Sequence, residues 1–347
     1  MNHARIKALA ERFTLPKYRQ SQLAEAFFRQ HTRDFASIST LPRDLRERLA
    51  AEPVLTIASA AVRVSQDGRA HKALLRLHDG KQIETVLLNP KPDLWSCCIS
   101  SQVGCALKCS FCATGTLGFK RHLTSEEITD QVLFWRLYIA EHQLPARLTN
   151  IVYMGMGEPF HNREQVFDSL TELGNPETFG IGSRHLSVST AGLPVGIREM
   201  ADRFPQVNLA LSLHAANDTL RLKLMPINKA FPLAQLHEAL TYWLDQTGRK
   251  LFLEYILLAG ENDQLEHAEE LATWVHSLGP GSRLHVNLIA FNPTATPHHA
   301  PQAVAARDFK ELLLAAGVAT TIRRNLGQDI DGACGQLALK EEAKAAG

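Results

Sequence analysis

The chain of 347 residues is short of cysteine, short of aromatic residues and without any long apolar run. Each shortage narrows what it can be. Six cysteines in a chain of this length are too sparse for a disulfide scaffold. No apolar stretch approaches the roughly 20 residues that a membrane-crossing helix requires. The opening residues, MNHARIKALAERF, have neither the apolar stretch nor the small-residue cleavage site of a secretory leader. These absences lead to the expectation of a cytoplasmic protein, in a reducing compartment and with no membrane partner. An excess of charge is also missing, since 37 Lys and Arg stand against 36 Asp and Glu. That balance hides an asymmetry, because residues 1–50 carry ten Lys and Arg against five Asp and Glu. A polyanion could dock at that end, and a solvated helical face is the equal alternative.

What is present is an ordinary globular composition, 45% apolar and 21% charged, long enough for one large core with smaller additions. Residues 1–50 read as a basic module of short helices, SQLAEAFFRQHTRDF and then LPRDLRERLA after a proline start. Residues 51–92 change to alternating or β-branched stretches, AAVRVS, KALLRLH and QIETVLL, punctuated by Asp67-Gly68 and Asp79-Gly80. This is the pattern of a small antiparallel extension. Across residues 93–325, apolar strands at TNIVYMG, HLSVSTA, VNLALSL, LFLEYIL and LHVNLIAF are each followed by a helix-like segment, which implies parallel strands with crossover helices. The expected fold is α/β, a partial (β/α)6 TIM-like barrel with its chemistry at the C-terminal strand ends. Residues 326–347 read as a tail carrying a Gly-flanked cysteine, Cys334.

Three cysteines crowd into eight residues, Cys105-Ala-Leu-Lys-Cys109-Ser-Phe-Cys112. A structural zinc site closes with four protein ligands, whereas a 4Fe-4S cluster held by three thiolates leaves one iron open for chemistry. Zinc would need a fourth ligand, with His122 or Cys98 as candidates. After the next apolar strand comes Tyr153-Met-Gly-Met-Gly157-Glu158-Pro, whose glycines let backbone approach a ligand and whose carboxylate suits an ammonium group. Ser189, Ser212, Leu213, His214 and Asn292 likewise fall near strand ends, where a satisfied core polar group is the plainer reading of each polar one.

The CxxxCxxC loop followed by βα units resembles the radical S-adenosylmethionine superfamily. The resemblance implies metal ligation by Cys105, Cys109 and Cys112, and cofactor contacts from Gly157, Glu158, Ser189, Ser212, Leu213, His214 and Asn292. More specifically, Cys98 in CISSQVGC and Cys334 in DGACGQL, with MGMGE, SLH, LMPIN and HVNLIAFNPT, resemble the RlmN/Cfr family of RNA adenine methyltransferases from about residue 80 onward. The chemistry explains two further thiols: an aromatic C–H carbon of adenine is electrophilic and cannot simply attack a methyl sulfonium. In the mechanism that the resemblance implies, two S-adenosylmethionine molecules are used per turnover. Cys334 takes a methyl group from the first, the second generates a radical that removes hydrogen from it, and the resulting methylene joins the adenine. Cys98 then attacks the sulfur of Cys334, and an external electron donor resets the disulfide. Cys97 is read as buried structure, and Glu84 matches a family carboxylate proposed as proton acceptor, with a solvent-facing strand residue as the alternative.

The implied substrate is large-subunit ribosomal RNA, with transfer RNA in one branch, received as an unstacked loop base by a monomeric enzyme. Residues Arg5, Lys7, Arg12, Lys17, Arg19, Arg29 and Arg33 would serve as a phosphate clamp. CSFCATG, LTSEEITDQVLFW, LLAGENDQLEHA and TTIRRNLGQDIDGACGQL are more similar to the branch that methylates carbon 8 than to the carbon-2 branch. Two alternatives stay open: another radical enzyme, such as a sulfur-inserting or glycyl-radical-activating one, and a zinc-stabilised RNA-binding protein.

Overall fold

The computed structural model describes residues 1–279, 281–323 and 325–339. Three helices come first: α1 (His3–Arg12), α2 (Lys17–Ala24), which runs on through a π turn to Arg29, and α3 (Arg43–Leu49). The helical pattern read through Phe35 stops at Arg29. The reason is local, since His31 takes a left-handed φ of 55° and Phe35 turns back to meet Phe27 edge-on at 5.0 Å. Much of the basic charge here is engaged within the chain: Arg5 pairs with Glu126, Arg12 with Glu52 and Arg33 with Glu141.

Strands β1 (Ala58–Val64), β2 (Ala70–Arg76) and β3 (Gln82–Lys91) form an antiparallel meander. Gly68 and Gly80 supply the positive φ of its two turns. β4 (Leu94–Cys98) joins the two halves of the molecule, antiparallel to β3 on one side and parallel to β7 (Arg147–Tyr153) on the other. Between them, the two-residue ladder β5 (Gln102–Val103) to β6 (Arg121–His122) pinches off a loop that contains the short helix α4 (Ala113–Thr116).

Helix α5 (Ser125–Glu141) is set by a capping box in which Thr124 and Glu127 satisfy each other's backbone N–H groups. There follow α6 (Arg163–Gly174), β8 (Leu186–Thr190), α7 (Pro194–Arg203), β9 (Asn208–Ser212), α8 (Asp218–Leu224) and α9 (Leu233–Thr247). The chain continues through β10 (Leu251–Leu257), α10 (Leu265–Ser277), β11 (Leu284–Ala290), α11 (Ala303–Ala315) and β12 (Thr320–Ile322). The sheet runs in the order β1-β2-β3-β4-β7-β8-β9-β10-β11-β12, all parallel from β4 onward. Among the described residues β1 and β12 remain its two edges, so the barrel is open rather than closed on itself. The central parallel strands carry fully buried apolar residues such as Val188, Leu209, Leu211 and Leu253 on one face, and polar residues such as Ser189, Ser212 and Glu254 on the other, which lines the barrel interior. Trp135, Trp243, Tyr153 and Tyr255 are completely buried in one core that also takes in the N-terminal helices. Among the described residues, no helix is long and apolar enough to cross a membrane.

Candidate active site

The loop between β5 and β6 holds its cysteines by backbone geometry. Gly104 has a φ of 74°, and a Cβ there would lie 1.8 Å from the carbonyl oxygen of Gly118, so only glycine permits the crossing at the neck. Lys108 is also left-handed, the Cys112 N–H donates to the carbonyl of Cys109, and the Ser110 N–H donates to that of Leu224. Leu107 and Phe111 anchor the loop in a satellite apolar cluster with Met225 and Ile256. Cys105, Cys109 and Cys112 consequently line one cavity of about 170 Å3 at the C-terminal ends of the parallel strands. Among the described residues, no three His, Cys, Asp or Glu side chains are arranged to hold a single metal ion. His122, a candidate fourth zinc ligand, instead shares a hydrogen bond with Gln102.

Gly157, Glu158, Ser189, Ser212 and His214 line the same cavity. Gly155 and Gly157 are glycines for a packing reason, since a Cβ would meet the backbone of Ile99 at 2.7 Å in the first case and the Gln102 side chain at 2.5 Å in the second. Glu158 is buried and held by three donors: Phe160 N–H and the Thr190 hydroxyl donate to Oε1, and Ala191 N–H donates to Oε2, which keeps capacity for a further donor. Burial raises its pKa above the ordinary carboxylate value while these three donors pull it back. His214 has a φ of 59° and accepts the Ile256 N–H at Nδ1, which leaves the proton on Nε2. Burial, helped by Arg221, lowers its pKa to about 3, so the imidazole is neutral. Leu213 is buried outside the lining, its backbone committed to Glu254 and Arg221.

A second cavity of about 310 Å3 adjoins the first, and Cys112, Thr114, Met154 and Cys334 belong to both walls. Cys98 lines this second cavity. Its neighbour Cys97 faces the other side of β4, fully buried and 3.9 Å from the Thr85 hydroxyl. Cys334 is exposed at the shared wall of the two cavities, and desolvation by the surrounding protein raises its thiol pKa while Arg323 draws it back. Burial pushes the Cys98 thiol up to about 12.

Besides Leu213, two predicted residues sit elsewhere. Asn292 lines neither cavity; its Nδ2 donates to the Cys334 carbonyl at 3.0 Å and its Oδ1 accepts from Gln328. Glu84 is 2% exposed, so it is no solvent-facing strand residue, and its carboxylate is bound by Lys72 and the tail. Residues missed by the sequence reading complete the site. Arg323 lines both cavities and donates to Glu254 Oε2 at 3.1 Å, and Asn287 donates to Oε1 at 2.9 Å. Fully buried Arg221 ties together Leu213, Ala191 and Asn228 beneath the cavity floor.

Residues 99–274 match the Radical SAM superfamily model. The chain is 41% identical over 345 residues to the "Ribosomal RNA large subunit methyltransferase Cfr" of Lachnoclostridium phytofermentans, covering 97% of this chain and 98% of the relative. It is 42% identical over 327 residues to the "Probable dual-specificity RNA methyltransferase RlmN" of Geobacillus kaustophilus, covering 93% and 87%. The crystal structure of a radical SAM methyltransferase from Sphaerobacter thermophilus superposes with a TM-score of 0.91 at 39% identity, over 98% of both chains. The chain belongs to the Cfr/RlmN family of radical S-adenosylmethionine methyltransferases. Membership implies S-adenosylmethionine and an iron-sulfur cluster, and the residues fit both. Three thiols in one wall suit a cluster, where each thiolate takes a different iron, better than they suit one ion. The adjoining lining pairs apolar Met225 and Ile256 with hydroxyl and carboxylate groups, as an amphiphilic cofactor requires.

Proposed function

We propose that this methyltransferase places a methyl group on an adenine carbon, position 8 in preference to position 2, in large-subunit ribosomal RNA or a transfer RNA, working as a single chain. The observation that carries this reading is that Cys334 lines both cavities, the one walled by the three clustered cysteines and the one that holds Cys98. One sulfur can therefore face a methyl donor on one side and a second thiol on the other.

When bound at Cys105, Cys109 and Cys112, a 4Fe-4S cluster with S-adenosylmethionine would supply both the methyl group and a hydrogen-abstracting radical. Everything else falls to the chain. Cys334 would give its thiol proton to solvent and take the methyl as a thioether, with S-adenosylhomocysteine as the leaving group, a displacement that Arg323 favours by stabilising the thiolate. Once that methyl has lost a hydrogen atom and its carbon has bonded to the adenine, protein and RNA are covalently joined. After loss of one electron and one ring proton, the Cys98 thiolate attacks the Cys334 sulfur, and the sulfur–carbon bond breaks with its electron pair passing to the methylene carbon and adenine ring. That carbon takes a proton from solvent, and the methylated base leaves. The resulting Cys98–Cys334 disulfide must receive two electrons from an external donor before the next cycle. Of Arg5, Lys7, Arg12, Lys17, Arg19, Arg29 and Arg33 in the N-terminal module, those paired within the chain would exchange a carboxylate or carbonyl for RNA phosphate.

The test incubates anaerobically reconstituted enzyme and reductant with methyl-deuterated S-adenosylmethionine and unmodified large-subunit RNA. Digested nucleosides are then compared with 2-methyl- and 8-methyladenosine. A product that keeps two of its three methyl deuteriums supports the route and names the carbon. Active cofactor cleavage with no methylated adenosine in ribosomal or transfer RNA would refute it. Cys334→Ala separates other radical chemistries, because cofactor cleavage should persist while methyl transfer ceases.

A further inference from the structure

Lys72 and Glu84 lie on the same face of the β2–β3 ladder, diagonal to one another, since Leu74 pairs with Glu84 and Lys72 with Val86. That face is the one that carries Cys98, whose register partner is Val86. Their ion pair is 2.9 Å long and almost wholly buried, at 6% and 2% exposure. A buried pair of this kind is costly unless its remaining hydrogen-bonding capacity is used. It is used entirely on the segment around Cys334. Lys72 Nζ donates to the Asp331 carbonyl at 3.3 Å, three residues before the cysteine. Glu84 Oε2 accepts the Ala338 N–H at 2.8 Å and the Leu339 N–H at 3.2 Å, four and five residues after it.

We propose that Glu84 is a positioning residue: with Lys72 it grips both flanks of the Cys334 segment and holds that thiol between the two cavities. Three further bonds lie inside this bracket. Asn292 holds the Cys334 carbonyl, the Ala113 N–H holds that of Gly335, and the Thr114 hydroxyl holds that of Leu337. Ala113 and Thr114 directly follow Cys112, so the segment is tied on one side to the cluster loop and on the other to the sheet face bearing Cys98. A carboxylate committed to one lysine and two backbone N–H groups, and absent from both cavity walls, serves the chain and not the reacting base. The inference rests on Cys334 being the methyl carrier, and it removes Glu84 from the role of proton acceptor.

The two roles separate before RNA is added. In the positioning role, Glu84→Ala slows Cys98–Cys334 disulfide formation under a mild oxidant and slows methylation of Cys334, each on the order of 100-fold for a misplacement of about 1 Å. The disulfide assay needs no cluster, cofactor or RNA. The double variant Lys72→Met/Glu84→Gln leaves no buried charge unpaired and keeps an oxygen for the two N–H groups after Cys334 while giving up the bond to Asp331, so it restores both rates part-way, to within about tenfold. Circular dichroism and thermal melting show that each variant is folded. The inference is overturned if Glu84→Ala forms the disulfide at the wild-type rate, or if the double variant recovers no more than the alanine variant. A folded wild type that forms the disulfide but never methylates Cys334 would instead overturn the functional reading and leave the clamp standing.

Discussion

The side-chain amide of Asn292 donates to the backbone carbonyl of Cys334 at 3.0 Å, linking the strand-end loop after β11 to the C-terminal tail. Gln328 donates to the other end of the same amide, which fixes its orientation. Asn292→Asp would set a carboxylate oxygen against the Cys334 carbonyl and should loosen the tail more than Asn292→Ala. The loss of about 1–3 kcal/mol that accompanies an unmade buried hydrogen bond should appear as faster amide exchange at residues 333–337. Equal exchange in wild type and both variants would show that the contact holds nothing.

Adjacent cysteines on β4 should behave as different chemical objects. Cys98→Ala should still accept methyl on Cys334 and add it to RNA, but the covalent protein–RNA species should accumulate because nothing releases it. Cys97→Ala should cost roughly 1–2 kcal/mol of stability from lost packing and release product normally. Denaturing gels of the reaction mixtures distinguish them. A trapped adduct with Cys97→Ala and none with Cys98→Ala would reverse the assignment.

His214 should make the fold sensitive to acid. Its native pKa is lowered to about 3, mainly by burial, against an unfolded value near 6.5. A lowered pKa means that the unfolded chain binds the proton more tightly. The stabilisation is therefore complete above about pH 6.5 and is lost as pH falls toward 3, at up to about 1.4 kcal/mol per pH unit. Asparagine tolerates the left-handed backbone and offers an oxygen to the Ile256 N–H, so His214→Asn should fold. Urea denaturation at pH 7 and pH 5 should show a smaller drop for the variant; an identical drop would assign the acid sensitivity to other groups.

The cluster loop was readable in the sequence because its chemistry is local: three thiols within eight residues need no tertiary information to be brought together. Five of the parallel strands were readable because each is a short apolar-rich segment followed by a helix-like one, the alternation of a βα fold. β12 and the β5–β6 ladder, three and two residues long, are too short for any periodicity to show. Arg323 was missed for that reason, since it follows a strand that cannot be seen and sits among other basic residues. Glu254 did leave a signal, a carboxylate inside the apolar strand LFLEYIL, which is unfavourable without a buried partner. Asn292 and Glu84 were found as positions but not as directions. Strand alternation says which face a side chain takes, while its hydrogen-bonding partner comes from a tail some 40 to 250 residues away in the chain.

The open sheet ends at β12, and from there the polypeptide crosses back to β2 and β3 as irregular tail rather than as further staves. The missing side of the barrel is thus closed by the segment that bears Cys334. The stretch that spans this gap and the stretch that places the Cys334 sulfur are therefore one piece of chain. Substitutions that widen access there will also displace the sulfur, and tolerance for a bulkier substrate cannot be gained without loosening the chemistry.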